Sequence, residues 1–395
     1  MATELRVACG IAGGGPAGMM LGFLLARAGL SVAVLEKHAD FLRDFRGDTI
    51  HPSTLDVIAE LDLLPAFLAR PHDEVRELAA QVGEERFVLA DFRHLPSRCK
   101  FLAFMPQWDF LDFLARHGRR YRGFDLRMQA EAVGLIEEGG RIAGLRAATP
   151  EGPLAVRADL VVAADGRHST LRGLAGLQGD ALGAPMDVLW MRLPRRADDP
   201  VATFGHAEAG RIFIMLNRGD YWQCAYVIAK GSFEQLKQQG IATLRASLVA
   251  LSPFLADRVE TLRGWDDVKL LTVAVDRLRR WHRPGLLCIG DAAHAMSPIG
   301  GVGINLAIQD AVAAANRLAR PLLFGNVSDA DLAAVQRRRE WPTRVTQRAQ
   351  LAIQNRIIRT VLGSREELHA PLALKLLQWF PVLRRIPARL IGIGV

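Results

Sequence analysis

Residues 5–12 form a short, unbroken apolar run that ends in glycines, the pattern of a strand buried on both faces. Residues 16–28 recur at helical spacing and are closed by Gly29, and residues 31–35 return to a strand pattern. The three together predict a β-α-β unit. A helix is predicted over 54–69, capped by Ser53 or Thr54, and another over 108–120. Between them, residues 75–101 alternate in short segments and predict strands of a different sheet. Residues 130–156 predict an antiparallel excursion, turning at Gly139-Gly140 and at Gly152, and 160–164 predict a further buried parallel strand. Aromatic and β-branched residues concentrate in 187–230, separated by turns such as Asn217-Arg218-Gly219-Asp220, which predicts an antiparallel sheet. Residues 286–289 predict another buried parallel strand, 303–319 a long helix, and 330–360 and 371–380 C-terminal helices.

The fold class expected is therefore mixed α/β. A Rossmann-like domain with a parallel sheet is joined by an antiparallel-sheet domain and C-terminal helices. The expected partition is a discontinuous nucleotide domain (1–74, 100–180 and 276–335), a substrate domain (75–99 and 181–275) and a helical segment (336–395). At 395 residues the chain is long enough for two lobes.

Composition changes this picture little. Fifty Lys and Arg face 42 Asp and Glu, a formal charge of +8, with the basic residues in short scattered clusters. That excess suits a solvated Arg-rich surface or the attraction of anionic ligands. No RNA-binding signature or zinc-ligand spacing accompanies it, so neither a nucleic-acid partner nor a metal is expected. Cys9, Cys99, Cys224 and Cys288 lack any CxxC spacing and are expected as buried free thiols. No secretory leader or membrane span is expected, and the location is expected to be cytoplasmic. The tail from 372 mixes bulky apolar residues with Lys375, Arg384, Arg385 and Arg389. Three readings stand for it: a helix packed on the nucleotide domain, a lid on the substrate site, or a weak contact with a membrane surface.

The chemistry is carried by three motifs. Gly13-Gly14-Gly15-Pro16-Ala17-Gly18 fits G-x-G-x-x-G between the first strand and the first helix. Gly13 serves the tight turn, Gly15 the approach of a pyrophosphate and Gly18 close helix packing, with free amides at the helix start stabilising phosphate charge. Glu36 ends the second strand, beside Lys37, where a carboxylate accepts both ribose hydroxyls of an adenosine. This suits FAD or NAD. The second motif is Asp165-Gly166, after a parallel strand, where Asp165 either caps the next turn or faces the ligand crevice. The third is Gly290-Asp291, followed by Ala292-Ala293-His294 and by Pro298, Gly300, Gly301, Gly303, Ile304 and Asn305. A strand-end carboxylate accepts a bond from a ribityl hydroxyl, and glycines running into a helix start present amides and a positive dipole end to a reduced flavin.

In order and separation these motifs resemble the FAD-dependent aromatic hydroxylases, the single-component flavoprotein monooxygenases with a p-hydroxybenzoate hydroxylase-like fold. The resemblance covers roughly residues 5 to 320. It implies FAD as cofactor, NADPH or NADH as a transient co-substrate, O2, and a small organic substrate that is aromatic, while the apolar side chains of the second sheet point to a hydrophobic substrate, quinoid or polycyclic. It further implies that Arg46 reaches the FAD phosphates, that Gln107 bonds the ribityl chain, and that Asp165-Gly166 serves FAD and NAD(P)H docking. In this family, reduced flavin forms a C4a-hydroperoxide that hydroxylates the substrate, and the protein shields it. Pro298 and Gly301 are then expected as a backbone lip beside the flavin, and His294 as a structural residue. Trp190, Arg192 and one parity of Phe213, Met215, Gln223 and Tyr226 are expected to line the substrate side. Two other functions stay open: a flavin-dependent reductase of the same fold, and a flavoprotein that sequesters an intermediate without turnover. Monomer and homodimer stay open as well.

Overall fold

A computed structural model describes residues 3–42, 49–83, 85–200, 203–208, 210–364 and 370–394. Arg46 lies outside the described residues. The N-terminal strand Thr3–Ala12 is the centre of the larger sheet. It pairs in parallel with Val32–Leu35 on one side and with Gly152–Ala163 on the other. Phe124–Arg127 and Leu286–Cys288 extend the parallel set outward. All of the strand Val32–Leu35 is buried, as expected of a strand covered on both faces. The helices Pro16–Arg27 and Gly303–Leu323 pack on this sheet and share its core.

Two sequence expectations are merged or split by the structure. The antiparallel excursion and the next parallel strand share one twelve-residue strand, Gly152–Ala163. Its first half also pairs with Arg141–Thr149. Conversely, the single helix predicted over 54–69 is two helices, Pro52–Glu60 and Leu64–Leu68. Asp62 between them takes a left-handed conformation, φ 60°, and Pro65 opens the second helix. The first begins earlier than predicted, with His51 as its cap residue and no side-chain cap bond.

Among the described residues the second sheet has seven strands, with Lys269–Leu271 at one edge, paired with Met186–Pro194. Met186–Pro194, Tyr221–Ala229, Arg211–Asn217 and Phe204–Glu208 run antiparallel in that spatial order, and Glu77–Val82 and Glu85–Asp91 extend the far edge. Ile241–Leu251 covers one face through Leu244, Leu248 and Leu251. The C-terminal region contributes the helix Asp329–Ile353, a π-helical turn Gln354–Ile358, and the short helices Leu372–Trp379 and Arg385–Gly392. All four cysteines are buried and free.

Candidate active site

The carboxyl ends of three parallel strands meet at one corner. Ala164 N–H donates to Ala12 O at 2.7 Å, and Ile289 N–H donates to Ala163 O at 3.0 Å. The strands are therefore in step when their chains leave the sheet, and Gly13, Asp165 and Gly290 emerge side by side, where open α/β sheets bind ligands.

The glycines at this corner divide by what surrounds them. A Cβ on Gly13, whose φ is +105°, would lie 2.2 Å from Ala164 O, and one on Gly18 would lie 2.0 Å from Gly13 O. Both glycines are demanded by the protein's own packing. A Cβ on Gly15 would meet no protein atom within 4 Å. Space there opens at the start of the helix Pro16–Arg27, where Pro16 needs no amide partner and the first-turn N–H groups have none within the helix. That arrangement fits a pyrophosphate. Glu36 lines the same corner, 9% exposed. Its Oε2 accepts Gly14 N–H at 3.0 Å and its Oε1 accepts His38 N–H at 3.1 Å, which fixes the carboxylate in place. Lys37 beside it is exposed. Ala17 is buried, and a Cβ on Gly290 would come within 3.1 Å of it and 3.3 Å of Ala307 Cβ. The first helix, the Gly290 turn and the long helix are thus in close packing.

Asp291 is half-buried and faces Arg167 at 3.6 Å. Asp165 is engaged locally. It accepts from the Ser169 hydroxyl and, at 3.1 Å, from Leu171 N–H, so it supports the start of the short helix Thr170–Leu174, whose cap residue is Ser169. Of its two readings, the local one is what its side chain fulfils. Gly166 next to it has φ +85° and open space at its Cβ position. Gln107 is the first residue of the helix Gln107–Gly118 and half-buried.

The lip runs from Pro298 to Gly303 into the long helix. Gly301 has φ +61°, and a Cβ there would fall 2.7 Å from Thr49 Oγ1. Asn305 fastens the lip. Its Oδ1 accepts His51 N–H at 2.8 Å and Thr54 Oγ1–H at 2.7 Å, and its Nδ2 donates to Thr49 O at 3.0 Å and Gly301 O at 3.2 Å. The amide head is therefore filled by protein groups. The side chain of Asn305 is thus committed to the lip, and what the residue offers a cofactor is its main-chain N–H in the first turn of the long helix. Ile304 is likewise buried, so Gly303 and Ile304 present only main chain at this helix start.

Three residues that the sequence did not single out hold the lip from behind. Gln347, Gln350 and Gln354, all buried, point from the C-terminal helix into the loop. Gln347 Nε2 donates to Ala295 O at 3.1 Å and to Asp276 O at 2.7 Å. Gln350 Nε2 donates to Ser297 O at 3.0 Å and Ile299 O at 2.8 Å, while its Oε1 accepts Ser297 N–H at 3.2 Å. Gln354 Nε2 reaches Ser297 Oγ at 2.6 Å. Their spacing of three and four residues puts them on one helix face, the signal that was available in the sequence. His294 is 1% exposed, and its Nε2 bonds Asp310 Oδ2 at 2.6 Å. Asp310 also accepts from Gly290 N–H and Arg339. Burial pushes the Asp310 carboxyl up, but His294 and Arg339 outweigh it and hold the group below the ordinary range.

The second sheet forms the wall opposite the lip, and its register decides which residues face it. Trp190 pairs with Ala225 and Arg192 with Gln223, so these side chains share a face, together with Ile212 and Ile214. Ile299 of the lip and Ile358 and Leu362 of the C-terminal region pack on that face. Phe213, Met215 and Tyr226 are on the other face, in the core beneath Ile241–Leu251. Their place in the substrate lining is therefore corrected: alternation reverses every side chain one residue along, and these three have the parity of the helix-covered face. Ile212 and Ile214 have the facing parity instead.

A family model described as an FAD binding domain matches residues 5–349. The 6-methylpretetramide 4-monooxygenase of Streptomyces rimosus is 35% identical over 350 residues, covering 88% of this chain and 83% of that enzyme. The rifampicin monooxygenase of Streptomyces venezuelae is 28% identical over 76% of this chain, which spans only 61% of that relative's length. Among solved structures, the anhydrotetracycline hydroxylase OxyS of Streptomyces rimosus superposes with a TM-score of 0.76 at 22% identity, over 98% of this chain and 76% of that one. The p-nitrophenol 4-monooxygenase PnpA of Pseudomonas putida gives 0.76 at 18% identity, over 98% and 96%. At those identities the two structures speak for the fold, while the family model and the first relative speak for the chemistry. The chain belongs to the FAD-binding family of flavoprotein monooxygenases.

Proposed function

We propose that this FAD-dependent monooxygenase hydroxylates a polycyclic aromatic substrate at the expense of NAD(P)H and O2. The observation that carries the substrate class is the wall facing the lip. It is built from Trp190, Ile212 and Ile214, with Ile299 of the lip packed on it and the polar pair Arg192 and Gln223 at one end. A flat apolar body with one polar edge matches such a wall. Relatives named for 6-methylpretetramide, anhydrotetracycline and rifampicin support the same class.

The open corner fits FAD. Gly15 and the helix start would hold the pyrophosphate, Glu36 the adenosine ribose, and Asp291 and Gln107 the ribityl chain. The main chain of Gly303 and Ile304, at the positive end of the long helix, favours negative charge on the ring's polar edge. When bound, FAD supplies the redox chemistry, passing electrons from NAD(P)H to O2 so that one oxygen atom enters the substrate and the other leaves as water. The chain's own part is to position and to shield. Pro298 and Gly301 shape the lip, the three glutamines keep it rigid, and the apolar wall excludes water. His294 donates no catalytic proton in this scheme, because its ring is buried against Asp310 and Trp281.

Turnover of polycyclic phenols with NAD(P)H under ¹⁸O₂ tests the reading. One labelled oxygen in the product is expected. A reduced, unlabelled product would indicate a reductase instead. Flavin that NAD(P)H never bleaches, with any substrate of the panel, would indicate a carrier. Either result overturns the proposal.

A further inference from the structure

We infer that the C-terminal helical pair, Leu372–Trp379 and Arg385–Gly392, is a docking surface for an anionic lipid membrane. Both helices lie along the strand Glu85–Asp91, joined by the turn Pro381–Arg384, so their outer sides form one surface. That surface is unusually apolar. Leu372, Trp379, Phe380, Val382, Ile386 and Leu390 are each 48–64% exposed. Isolated exposed apolar residues are ordinary, but six within one short segment form a patch of the kind that marks an interaction site.

The segment is not a loose tail. Ala388 is fully buried, and a Cβ on Gly392 would fall 2.6 Å from Leu95. His51 Nδ1–H donates to Ile391 O at 2.6 Å. The inner side of the pair is thus anchored and the outer apolar side is held out.

Charge selects the occupant. Residues 370–394 carry Lys375, Arg384, Arg385 and Arg389 and no Asp or Glu; Arg384 donates to Leu377 O at 2.8 Å and Gln378 O at 3.5 Å, while Arg385 and Arg389 are exposed. A second copy docked on the same face would set cations against cations. An anionic lipid surface satisfies both features, burying the apolar side chains at the headgroup boundary while basic groups meet lipid phosphates. Trp379 and Phe380, an aromatic pair at the helix end, suit the interface level. No helix among the described residues is long and apolar enough to cross a membrane, so the contact is with one leaflet.

Docking here also places the bilayer near the lip. His51, which holds the tail through its ring, bonds Asn305 through its main chain, and Asn305 bonds Gly301 O. Membrane docking is thereby mechanically linked to the lip, and it does not rest on the proposed substrate class.

The test is flotation of the full-length, FAD-loaded protein with phosphatidylcholine vesicles, with and without phosphatidylglycerol. The wild type is expected to float with phosphatidylglycerol vesicles and to be released by salt. The double variants W379E/F380E and R385E/R389E are expected to lose at least ~10-fold in bound fraction, since each basic residue near such a surface is worth about fivefold. Flavin content and ¹⁸O incorporation in lipid-free buffer, measured alongside, report on folding and on the proposed activity independently. Wild-type protein that stays in solution beside phosphatidylglycerol vesicles would overturn the inference, whatever the variants do. So would well-loaded variants that float as the wild type does. A wild-type dimer that both variants render monomeric would assign the face to a second copy and overturn it too.

Discussion

His51 shows how much one side chain can join. Its main chain bonds Asn305, its ring bonds Ile391 O, and it opens the helix Pro52–Glu60. Burial pushes the imidazole down to about 4, with main-chain bonds to Ile391 and Gly300 opposing only in part. The unfolded chain takes up this proton as pH falls through about 6.5, while the folded protein refuses it until about 4. Stability from this residue is therefore full above that window and is lost as pH falls across it, by on the order of 3 kcal/mol. In H51Q, whose amide can still donate to Ile391 O, the loss of unfolding free energy between neutral pH and the lower end of the window is expected to be smaller by about that amount. Parallel pH profiles, from denaturant titrations of both proteins, would refute this. Neither His51 nor the filled amide of Asn305 was legible in the sequence. A motif locates an asparagine but does not tell whether its partners are a ligand or the protein. Glu36 was legible because strand, turn and helix fix where a residue at that position must be.

The C-terminal helix Asp329–Ile353 and the turn after it owe their function to a polar stripe. Gln347 and Gln350 bond main-chain groups of residues 295–299, and Gln354 bonds the Ser297 hydroxyl. Replacing the middle one, Q350L, strips donors and an acceptor from three buried groups. It is expected to cost about 2–3 kcal/mol of stability and to weaken FAD retention by loosening the lip, read by urea unfolding and by flavin release. Unchanged values of both would show that the ladder does not support the lip. A helix over 330–360 was visible from periodicity. The spacing of its glutamines is also readable there, but not their inward direction, since such a face normally meets solvent and only tertiary packing turns it inward. The break at Asp62 was missed for a related reason: the apolar spacing runs on across it, and only the left-handed residue interrupts the helix.

Across the described residues, distant segments combine into two large sheets and two small ones, and the site is where the ends and faces of the large ones come together. The parallel strands and their order around Thr3–Ala12 follow from buried apolar runs and the fingerprint. The second sheet was foreseen as antiparallel. Its facing residues were not, because alternation identifies two faces without saying which one a helix will cover. Phe213, Met215 and Tyr226 went to the covered one. The claim on which the rest depends is that three strand ends converge on a corner left open for FAD, with Gly15 at its edge. FAD binding by G15V against the wild type, at equal folded fraction, tests it most directly. A Cβ there meets no protein atom, so the variant is expected to fold with stability within about 1 kcal/mol of the wild type. It is also expected to lose FAD affinity by at least ~100-fold, as valine occupies the pyrophosphate's approach. A folded G15V that retains FAD as tightly as the wild type would contradict the account.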